Sequence, residues 1–569
     1  MDFFRQLELW HQKASDDIDL IDELNSIKNN QDEIADRFFK ELEFGTGGLR
    51  GVIGAGSNRV NIYTIGKATQ GICDYLTANF KNPSVCIAYD SRIKSDLFAK
   101  RAAEVFSANG VRVYLYSELM PTPMLSYAVR KLKCDAGVVV TASHNPAKYN
   151  GYKVYGSDGC QLTLEASEVV IGHINIIDCF DDVKAVSFEK ALVDGMISYI
   201  SEDVIDCYLD EVSKQSINSN VFNGSDLKVI YTPLHGSGNK PVRRILSKMG
   251  LSDVEIVKEQ EFPDGNFPTA PFPNPEIRQV FECALHMAEK SKPDLLLATD
   301  PDCDRVGIAV LHNGEYVMMS GNEVGILLLD YILKERKNKG TLPECPAAIK
   351  TIVTTNLAKK ICEKYNCQLF DLLTGFKFIG EQIVFFEKDG EENRFVFGFE
   401  ESYGYLAGSY VRDKDAVVGS MLICEMTAFY KKQNKTLPER MKELYDEHGY
   451  YINLQLNYEY EGMAGMQKIV QIMQKLLNNP PLSFDGKDVT DIIDYEASES
   501  LCIKTGVKTK ITLPRSQVLH FIMDGAEVIV RPSGTEPKIK AYVETNADTF
   551  EKAQECAAAI EKEIMKFME

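Results

Sequence analysis

The sequence predicts an α/β fold, with three similar mixed-sheet α/β domains followed by a C-terminal α+β domain. Three observations lead to this fold class. The chain has 569 residues, far more than one hydrophobic core organises, so several domains are expected. Up to about residue 440, short apolar runs alternate with helical patterns, which is typical of α/β domains. Beyond that point the strand patterns follow one another closely, which favours antiparallel pairing.

The first predicted domain, residues 1–205, begins with helices and continues as alternating strands and helices. Residues 1–43 are predicted to be helical because the apolar residues of Asp32–Leu42 recur at the spacing of one helix face. A glycine-rich loop, Phe44–Gly51, follows. Further along, the patterns predict strands at Val85–Ala88, Val111–Tyr116 and Gly137–Val140, and a helix at Leu97–Ala108.

The second and third predicted domains, residues 206–320 and 321–440, repeat this alternation. Between them they contain six strand patterns, at Lys228–Tyr231, Val254–Val257, Leu295–Ala298, Ala348–Val353, Gln368–Leu372 and Phe395–Phe397. Helical patterns lie near 241–249 and 276–290, and at Glu323–Lys334 and Ala416–Lys432. The proline-rich segment Phe262–Glu276 predicts a rigid loop.

The fourth predicted domain, residues 441–569, has a different pattern. Its closely spaced strands are predicted at Ile511–Leu513, Val518–Met523 and Glu527–Arg531. A last helix is expected to begin at a capping-box-like pair, Asp548 and Glu551. This combination predicts an α+β domain.

Four predicted strands end in loops that carry chemically useful side chains. The loops are Thr141–Pro146, Thr299–Arg305, Gly398–Ser402 and Arg531–Lys538. They supply a nucleophile, a cluster of carboxylates, a group that can bind hydroxyls and a cradle for an anion. A phosphoryl-transfer enzyme needs these parts.

The first two loops suggest a nucleophile and a metal site. A serine hydroxyl such as Ser143 needs a neighbouring base or charge, which His144 and Lys153 can provide; the alternative is a serine turn beside a surface histidine. In the second loop, alternate residues of an extended segment can face the same way, so three carboxylates can converge. Oxygen ligands select a hard ion, Mg²⁺. The alternatives are a solvated acidic turn and a calcium loop, although the residues after Arg305 offer no further ligands. The predicted metal ligands are Asp300, Asp302 and Asp304.

The other two loops suggest substrate binding. Glu400 with Ser402 can accept from and donate to neighbouring sugar hydroxyls, although an acidic first turn of a helix gives the same pattern. The last loop combines a glycine, two hydroxyls and two cations, which can hold a phosphate, although a tight Pro-Gly turn is the alternative. Its candidate ligands are Arg531, Ser533, Gly534, Thr535 and Lys538.

These motifs, in this order along the chain, resemble those of the α-D-phosphohexomutase superfamily, and most closely the bacterial-type phosphoglucomutases of the phosphoglucomutase/phosphomannomutase family. The matching motifs extend from Thr46 to Lys538. The resemblance implies four domains around a central cleft and a phosphoserine at Ser143, with proton transfer assisted by His144 and Lys153. It also implies that an oxygen of phosphorylated Ser143 completes the metal site.

The resemblance assigns further residues. It implies that Arg50 faces the transferring phosphate, that Arg305 touches the same phosphate, and that Lys377 contacts the substrate. It further implies that Glu400 and Ser402 bind the sugar and that the Arg531–Lys538 loop holds the phosphate that does not react. His235 is a candidate for supporting the site. The alternatives are a surface arginine for Arg50, a solvated lysine for Lys377 and a turn-packing histidine for His235.

The implied activity is that of a Mg²⁺-dependent phosphoglucomutase, which interconverts glucose 1-phosphate and glucose 6-phosphate through glucose 1,6-bisphosphate. Phosphomannomutase and phosphopentomutase activities stay open, because the loop Gly398–Gly404 is longer than the Gly-Glu-Glu-Ser form of other branches. Two further alternatives are a metal-dependent phosphosugar phosphatase and a non-catalytic phosphosugar-binding protein.

The composition restricts partners and location. A net charge of −20 argues against nucleic acid or an anionic membrane as the main partner. The 14 cysteines contain no Cys-x-x-Cys and favour a reducing compartment. The N-terminus lacks a signal-peptide pattern, and no apolar run is long enough to span a membrane. We therefore expect a cytoplasmic protein, either a monomer or a homodimer, that binds a phosphosugar.

Overall fold

The structure, a computed structural model, describes residues 3–460, 462–532 and 538–568. The chain divides into two compact units. The larger unit comprises Met1–Pro346 and Phe376–Thr436, and the smaller unit comprises Ala347–Gly375 and Leu437–Glu569. Mixed sheets and helices form four domains, which confirms the predicted fold class. The domain boundaries at 205, 320 and 440 stay predictions.

The first sheet of the larger unit has six strands in the order β1-β5-β4-β2-β3-β6. Strands β4, β2, β3 and β6 are mutually parallel, whereas β1 and β5 pair antiparallel, so the sheet is mixed. The strands are β1 Gly48–Val52, β2 Ser84–Tyr89, β3 Arg112–Leu115, β4 Ala136–Val140, β5 Tyr149–Gly156 and β6 Ile197–Tyr199. The helices are α1 Phe3–Lys13, α2 Ile18–Ile27, α3 Gln31–Phe38, α4 Ile62–Asn79, α5 Ser95–Ala108, α6 Thr122–Leu132, α7 Leu164–Asn175, α8 Phe188–Val193 and α9 Glu202–Lys214.

Strand β1 corrects the prediction that Phe44–Gly51 is a loop throughout. Gly48 has a φ of +147°, and a Cβ there would lie 2.0 Å from the carbonyl oxygen of Tyr152 on β5. Glycine at this position therefore allows two strands to approach closely and does not mark a turn.

The second sheet of the larger unit has five strands in the order β11-β10-β9-β7-β8. Strands β8, β7 and β9 are parallel, and β10 and β11 pair antiparallel. The elements are β7 Val229–Thr232, α10 Asn239–Lys248, β8 Val254–Ile256, α11 Glu282–Ser291, β9 Leu295–Thr299, β10 Val306–His312 and β11 Glu315–Met319. Short 3₁₀ turns lie at Lys258–Gln260 and Arg278–Phe281, so the helix predicted at 276–290 is α-helical only in its later part.

The next stretch of chain contributes to both units. Its elements are α12 Gly321–Asn338, β12 Ala347–Thr351, α13 Leu357–Tyr365, β13 Gln368–Leu372, α14 Phe376–Lys388, a 3₁₀ turn at Glu392–Arg394, β14 Phe395–Phe399, β15 Tyr405–Leu406 and α15 Ala416–Lys431. Strands β12 and β13 pair in parallel within the smaller unit. Strands β14 and β15 pair antiparallel within the larger unit.

The rest of the smaller unit is an antiparallel sheet in the order β16-β23-β22-β21-β18-β19-β20, with β17 paired to β18. The elements are α16 Leu437–His448, β16 Tyr450–Glu459, α17 Gly462–Asn478, β17 Ser483–Phe484, β18 Lys487–Asp494, β19 Glu499–Cys502, β20 Lys508–Lys510, β21 Leu519–Met523, β22 Ala526–Pro532, β23 Lys538–Ala547 and α18 Phe550–Met568.

Two predictions for the smaller unit are wrong in detail. The strand predicted at Ile511–Leu513 is irregular chain, and the preceding residues Lys508–Lys510 form β20 instead. Pro514 offers no N–H to a strand ladder, which disfavours pairing at the predicted position. At the last helix, the hydroxyl of Thr549, and not the side chain of Asp548, accepts from the N–H of Lys552. The helix begins at Phe550, so the expected capping pair is out of register.

Within the smaller unit, a carboxylate on β23 ties the sheet to helix α13. Both oxygens of Glu544 accept from the backbone N–H of Asn356, at 2.9 and 3.1 Å. The side-chain amide of Asn356 donates to Glu527 on β22 over 2.8 Å. Glu544 is buried, so this contact satisfies a carboxylate that water does not reach.

The composition predicts reduced cysteines and no helix that spans a membrane. All 14 cysteines are free thiols. No helix within the described ranges combines the length and apolar character needed to cross a bilayer. The cytoplasmic location stays a prediction.

Candidate active site

Two fully buried strands of the larger unit, β4 and β9, lead into the first two predicted loops. All five residues of each strand are buried, which fixes where the loops begin. Across these loops, the hydroxyl of Ser143 donates to Oδ2 of Asp300 over 3.0 Å. The predicted nucleophile therefore forms a hydrogen bond with one of the predicted metal ligands, Asp300. The two loops follow strands of different sheets.

Ser143 is held in an uncommon conformation. Its φ is +52°, in the left-handed region, and its side chain is only 7% exposed. The N–H of Ser143 donates to the hydroxyl of Thr141 over 2.8 Å, and its Oγ lies 3.2 Å from Nδ1 of His144. Non-glycine residues with positive φ cluster at functional sites, where the surrounding structure holds them.

His144 is a neutral imidazole beside the Ser143 hydroxyl. Desolvation lowers the pKa of its imidazole well below the ordinary value, and the positive charges of Arg305 and Arg50 lower it further. The ring is therefore neutral near pH 7, and in the tautomer protonated at Nε2 its Nδ1 can accept from the Ser143 hydroxyl when that hydroxyl turns from Asp300.

The three predicted metal ligands form a compact, buried cluster. Asp300, Asp302 and Asp304 are fully buried, and one ligand atom from each lies within 4.8 Å of the others. Burial and the two neighbouring carboxylates raise the pKa of Asp300 well above its ordinary value. Three carboxylates at this separation repel one another strongly unless a cation lies between them.

Protein donors occupy both oxygens of Asp300 and one oxygen each of Asp302 and Asp304. Oδ1 of Asp300 accepts the N–H groups of Asp304 and Arg305, at 3.0 and 2.9 Å. Oδ2 of Asp302 accepts from Lys153 at 2.8 Å, and Oδ2 of Asp304 accepts from the same ammonium at 3.3 Å. Oδ1 of Asp302 and Oδ1 of Asp304 are buried without a hydrogen-bond partner among the described residues.

These two bare oxygens are the observation that fits a metal ion. A buried carboxylate oxygen without a donor is costly, and a divalent cation would satisfy both oxygens at once. Mg²⁺ takes single oxygens in a compact octahedral arrangement, which suits Asp302 and Asp304, each of which has one oxygen already engaged. The cluster therefore can hold the predicted ion.

Lys153 and a second lysine, Lys414, neutralise part of this charge. Lys414 Nζ lies 2.8 Å from Oδ2 of Asp304. Burial alone would lower the pKa of both ammonium groups, but nearby carboxylates, chiefly Asp302 and Asp304 for Lys153 and Asp304 for Lys414, raise it well above the ordinary value. Lys153 is therefore charged at neutral pH.

Two residues that contact the cluster were missed in the sequence. Lys414 lies in the segment Arg412–Asp415, directly before α15, where a lysine between two aspartates was the available signal. Thr122, at the start of α6, donates from its hydroxyl to Oδ2 of Asp302 over 3.0 Å. Its segment, Pro121–Pro123, carries no charged group that would have drawn attention to it.

A third residue that was missed in the sequence, Arg92, holds the loop Thr141–Pro146, the nucleophile loop, through its backbone carbonyl groups. Its guanidinium donates to the carbonyl oxygens of Ser143 at 2.5 Å and of Pro146 and Tyr149 at 3.0 Å, and also to that of Asn145. Arg92 thus holds four carbonyl groups between Ser143 and the first residue of β5. The signal was present, because Asp90–Arg92 follows β2, the parallel neighbour of β4.

The predicted Arg50 contacts the Thr141–Pro146 loop, and the predicted Arg305 is the last residue of the Thr299–Arg305 loop. Arg50 is on β1, and its Nη1 is 3.3 Å from Oδ1 of Asn145. Arg305 donates to Oε1 of Glu276 over 2.8 Å, and its Nε lies 3.9 Å from Oδ1 of Asp304. Arg50 is exposed, so it is available to a ligand.

The predicted sugar-binding residues belong to the same unit. Glu400 follows the last residue of β14 and is 5% exposed. Burial raises its pKa to about 7, against the opposing charges of Lys414 and Arg305. Ser402 is half-buried. Lys377, in the first turn of α14, reaches the glycine-rich segment, since its Nζ lies 3.2 Å from the hydroxyl of Thr46.

The raised pKa of Glu400 predicts a pH-dependent stability. Folded protein keeps this proton up to about pH 7, whereas an unfolded chain releases it near 4.5. Stability should therefore fall as pH rises from about 4.5 through 7, by up to about 3 kcal/mol, since one pKa unit corresponds to about 1.4 kcal/mol. Glu400→Gln removes this loss, so its unfolding temperature should rise above that of the wild type progressively between pH 5 and 8. Ser402→Ala, a change without a titrating group, should follow the wild type, and parallel profiles for Glu400→Gln would contradict the assignment.

His235 packs a turn. Its ring nitrogens lie 3.1 Å from the carbonyl oxygen of Phe262 and 3.0 Å from the hydroxyl of Thr269. The turn-packing alternative therefore describes this residue. Its neighbour Ser237 does meet the aspartate loop, because its N–H donates to the carbonyl of Pro301 over 2.8 Å.

The last predicted loop lies in the smaller unit. Arg531 is near the end of β22 and faces Lys540 on β23. Lys538 begins β23, and its Nζ is 2.9 Å from Oε1 of Glu459. The other three predicted ligands lie outside the described residues: Ser533, Gly534 and Thr535.

Comparison with protein families matches most of the chain. Four regions correspond to domains described as phosphoglucomutase/phosphomannomutase. Alpha/beta/alpha domain I matches residues 41–178, domain II residues 206–314, domain III residues 320–448, and the C-terminal domain residues 486–563.

Individual proteins show the same similarity. A phosphoglucomutase of Staphylococcus saprophyticus is 37% identical over 511 residues, 90% of this chain and 91% of that protein. A phosphoglucomutase of Staphylococcus aureus strain USA300 is 36% identical over 550 residues, 96% of each chain. Among solved structures, the open form of the Paramecium phosphoglucomutase parafusin aligns with a TM-score of 0.67 at 20% identity, covering 93% of this chain and 94% of that one. At this identity, the structural similarity supports the fold.

Proposed function

The chain belongs to the phosphoglucomutase/phosphomannomutase family, and from this membership we propose that it is a Mg²⁺-dependent phosphoglucomutase. It would interconvert glucose 1-phosphate and glucose 6-phosphate through a phosphoserine and glucose 1,6-bisphosphate. The observation that carries this proposal is the hydrogen bond from Ser143 to Asp300, beside the bare oxygens of two further buried carboxylates. Relatives named phosphoglucomutase at 36–37% identity favour glucose over other sugars.

In the proposed reaction, Ser143 accepts a phosphoryl group from the bisphosphate and later donates one. When Ser143 is phosphorylated, a P–O bond forms at its Oγ, the hydroxyl proton passes to Nδ1 of His144, and the released sugar oxygen takes a proton from Lys153. The opposite transfer reverses each movement, so both groups end a full cycle in their starting protonation states. The neutral ring of His144 and the charged Lys153 support these roles.

The metal ligands and the arginines assist this chemistry electrostatically. A magnesium ion held by Asp300, Asp302, Asp304 and a phosphate oxygen on Ser143 would add positive charge at the transferring group. Arg50 and Arg305 would add donors from the protein. Preorganised donors aimed at developing charge are commonly the largest contribution to lowering such a barrier.

Substrate recognition is assigned to residues away from the nucleophile. Glu400, with Ser402, would accept hydrogen bonds from sugar hydroxyls, and Lys377 would contact the ligand near the glycine-rich segment. The loop between Arg531 and Lys538 would hold the phosphate that does not react, through Ser533, Gly534 and Thr535. Glucose 1,6-bisphosphate has to bind in two orientations, with either phosphate at Ser143. The phosphate that does not react therefore needs a binding site of its own.

A coupled assay tests the proposal. Glucose 1-phosphate should yield glucose 6-phosphate in the presence of Mg²⁺ and a trace of glucose 1,6-bisphosphate. Mannose 1-phosphate and ribose 1-phosphate, assayed in parallel, measure the sugar preference. Release of inorganic phosphate faster than isomerisation would identify a phosphatase and refute the mutase proposal.

The cradle assignment predicts that Arg531→Ala impairs substrate holding. Loss of a charge-assisted contact is expected to reduce kcat/KM for glucose 1-phosphate roughly 30- to 1000-fold, or about 2–4 kcal/mol. Phosphoryl transfer from labelled phosphoenzyme to free xylose, which has no second phosphate, should be nearly unchanged. Arg515→Ala, an exposed arginine of the same domain, is the control. Equal losses with both acceptors would assign Arg531 to the chemistry or to the fold.

A further inference from the structure

The first residue of helix α6 holds one of the proposed metal ligands at two points. Thr122 is fully buried and is the first residue of the helix, between Pro121 and Pro123. Its backbone N–H donates to the carbonyl oxygen of Asp302 over 2.9 Å. Its hydroxyl donates to Oδ2 of the same residue over 3.0 Å. Main chain and side chain of Asp302 are thus fixed by a single threonine, 180 residues away in sequence.

These contacts determine which oxygen of Asp302 is left for a cation. Oδ2 receives the hydroxyl of Thr122 and the ammonium of Lys153, whereas Oδ1 is buried without a hydrogen-bond partner among the described residues. A partial rotation of the carboxylate would break the Thr122 bond, whereas a half turn only exchanges two equivalent oxygens. The contacts with Thr122 and Lys153 therefore hold the carboxylate in the orientation that leaves Oδ1 available to a cation.

Thr122 is well suited to fix an orientation. Its β-branched side chain has few rotamers, and here it is buried at the start of a helix between two prolines. The N-terminal end of a helix also carries partial positive charge, which stabilises a carboxylate beside it. Lys153 contacts two aspartates and carries a full charge. The neutral hydroxyl of Thr122 can therefore be removed without changing the net charge of the cluster.

We propose that Thr122 is a positioning residue that orients Asp302 for binding of magnesium. The inference rests on the cation site of the proposed function and deepens it. Hydrogen bonds that orient metal ligands from outside the ligand set typically contribute 10- to 100-fold to metal affinity. Thr122 would act through Asp302 and would not itself touch the ion or the substrate.

The test measures metal affinity, not activity. Mg²⁺ binding to full-length, dephosphorylated protein is measured by calorimetry, and the increase in melting temperature with Mg²⁺ provides a second readout. Thr122→Val removes the hydroxyl with little change in volume and should raise the Mg²⁺ dissociation constant about 10- to 100-fold. Thr122→Ser keeps the hydroxyl and should bind Mg²⁺ nearly as the wild type does.

Thr69→Val is the matched control. Thr69 is also fully buried, and its hydroxyl bonds to the carbonyl of Ile65 at 2.8 Å and to the hydroxyl of Tyr152 at 2.9 Å. Its loss should lower the melting temperature and leave Mg²⁺ affinity unchanged. If Thr122→Val is not recovered folded, Thr122→Ala supplies the same comparison.

The possible outcomes separate this inference from the proposed function. Wild-type affinity in a folded variant without the Thr122 hydroxyl overturns the positioning role and leaves the metal site intact. A wild-type protein that does not bind Mg²⁺ overturns both. A loss in Thr122→Ser as large as that in Thr122→Val would show that the methyl group matters and not the hydrogen bond, and would also overturn the inference.

Discussion

Ser143→Ala is expected to abolish interconversion of glucose 1-phosphate and glucose 6-phosphate while leaving the protein folded. The change removes the protein group that the proposed mechanism phosphorylates, so residual turnover should be at least about 10⁴-fold lower, as for loss of other catalytic nucleophiles. Mass spectrometry of the wild type should show a fraction heavier by one phosphoryl group. Digestion should place that group at Ser143, and the variant should lack it.

The control for this change is Ser107→Ala. Ser107 is as buried as Ser143, at 7% exposure, and its hydroxyl has no hydrogen-bond partner in the described parts of the chain. It lies in α5, outside the candidate site. Normal activity of Ser107→Ala with loss in Ser143→Ala would support the assignment. Near-normal turnover and phosphorylation in Ser143→Ala would refute the proposed phosphoserine mechanism.

Asp302→Asn is expected to have the second largest effect. It removes one charge from the buried cluster and can place an amide nitrogen where the bare Oδ1 now lies. We expect weaker Mg²⁺ binding and a decrease in kcat on the order of a thousandfold, because positive charge at the transferring phosphoryl group is lost. Turnover as a function of Mg²⁺ concentration, with and without chelator, measures both effects.

Asp135→Asn provides the same chemical change at a distance. Asp135 directly precedes β4, whereas the nucleophile loop follows that strand, and its carboxylate accepts from the N–H of Ser84 over 2.9 Å. This variant should keep its Mg²⁺ dependence. Full activity of Asp302→Asn in excess chelator would show that the aspartates serve another purpose.

The sequence was sufficient for the strands that end at the site and for the chemistry of their loops. The buried parallel strands β4 and β9 are continuous apolar runs, a strong signal. Strand β5 was missed because its sequence, Tyr149–Gly156, contains two glycines and an asparagine. A Cβ on Gly151 would lie 2.6 Å from the carbonyl oxygen of Thr141, so glycine is required there for close strand approach.

The contacts around the aspartates could not be predicted in the same way. Thr122 and Lys414 meet Asp302 and Asp304 through folding of distant segments, and neither residue type indicates its partner. Periodicity predicts which face of an element is buried but not which donor meets which oxygen. Arg92 could have been predicted from the sequence. It follows a buried parallel strand, which is the rule that identified the other loops.

The hydrogen bonds between Glu544 and Asn356 restrict which fragments of the chain keep the contacts of the smaller unit. Three covalent crossings, after residues 346, 375 and 436, join the two units, so no single cleavage separates them. A fragment beginning at Leu437 would lack α13 and the N–H group that both oxygens of Glu544 accept. That carboxylate would then be left without this donor, beside Glu527, which would lose its amide donor as well. A fragment that keeps the contacts of this sheet, which leads into the proposed phosphate-binding loop, must therefore include residues 347–375 as well as the chain from Leu437 onward.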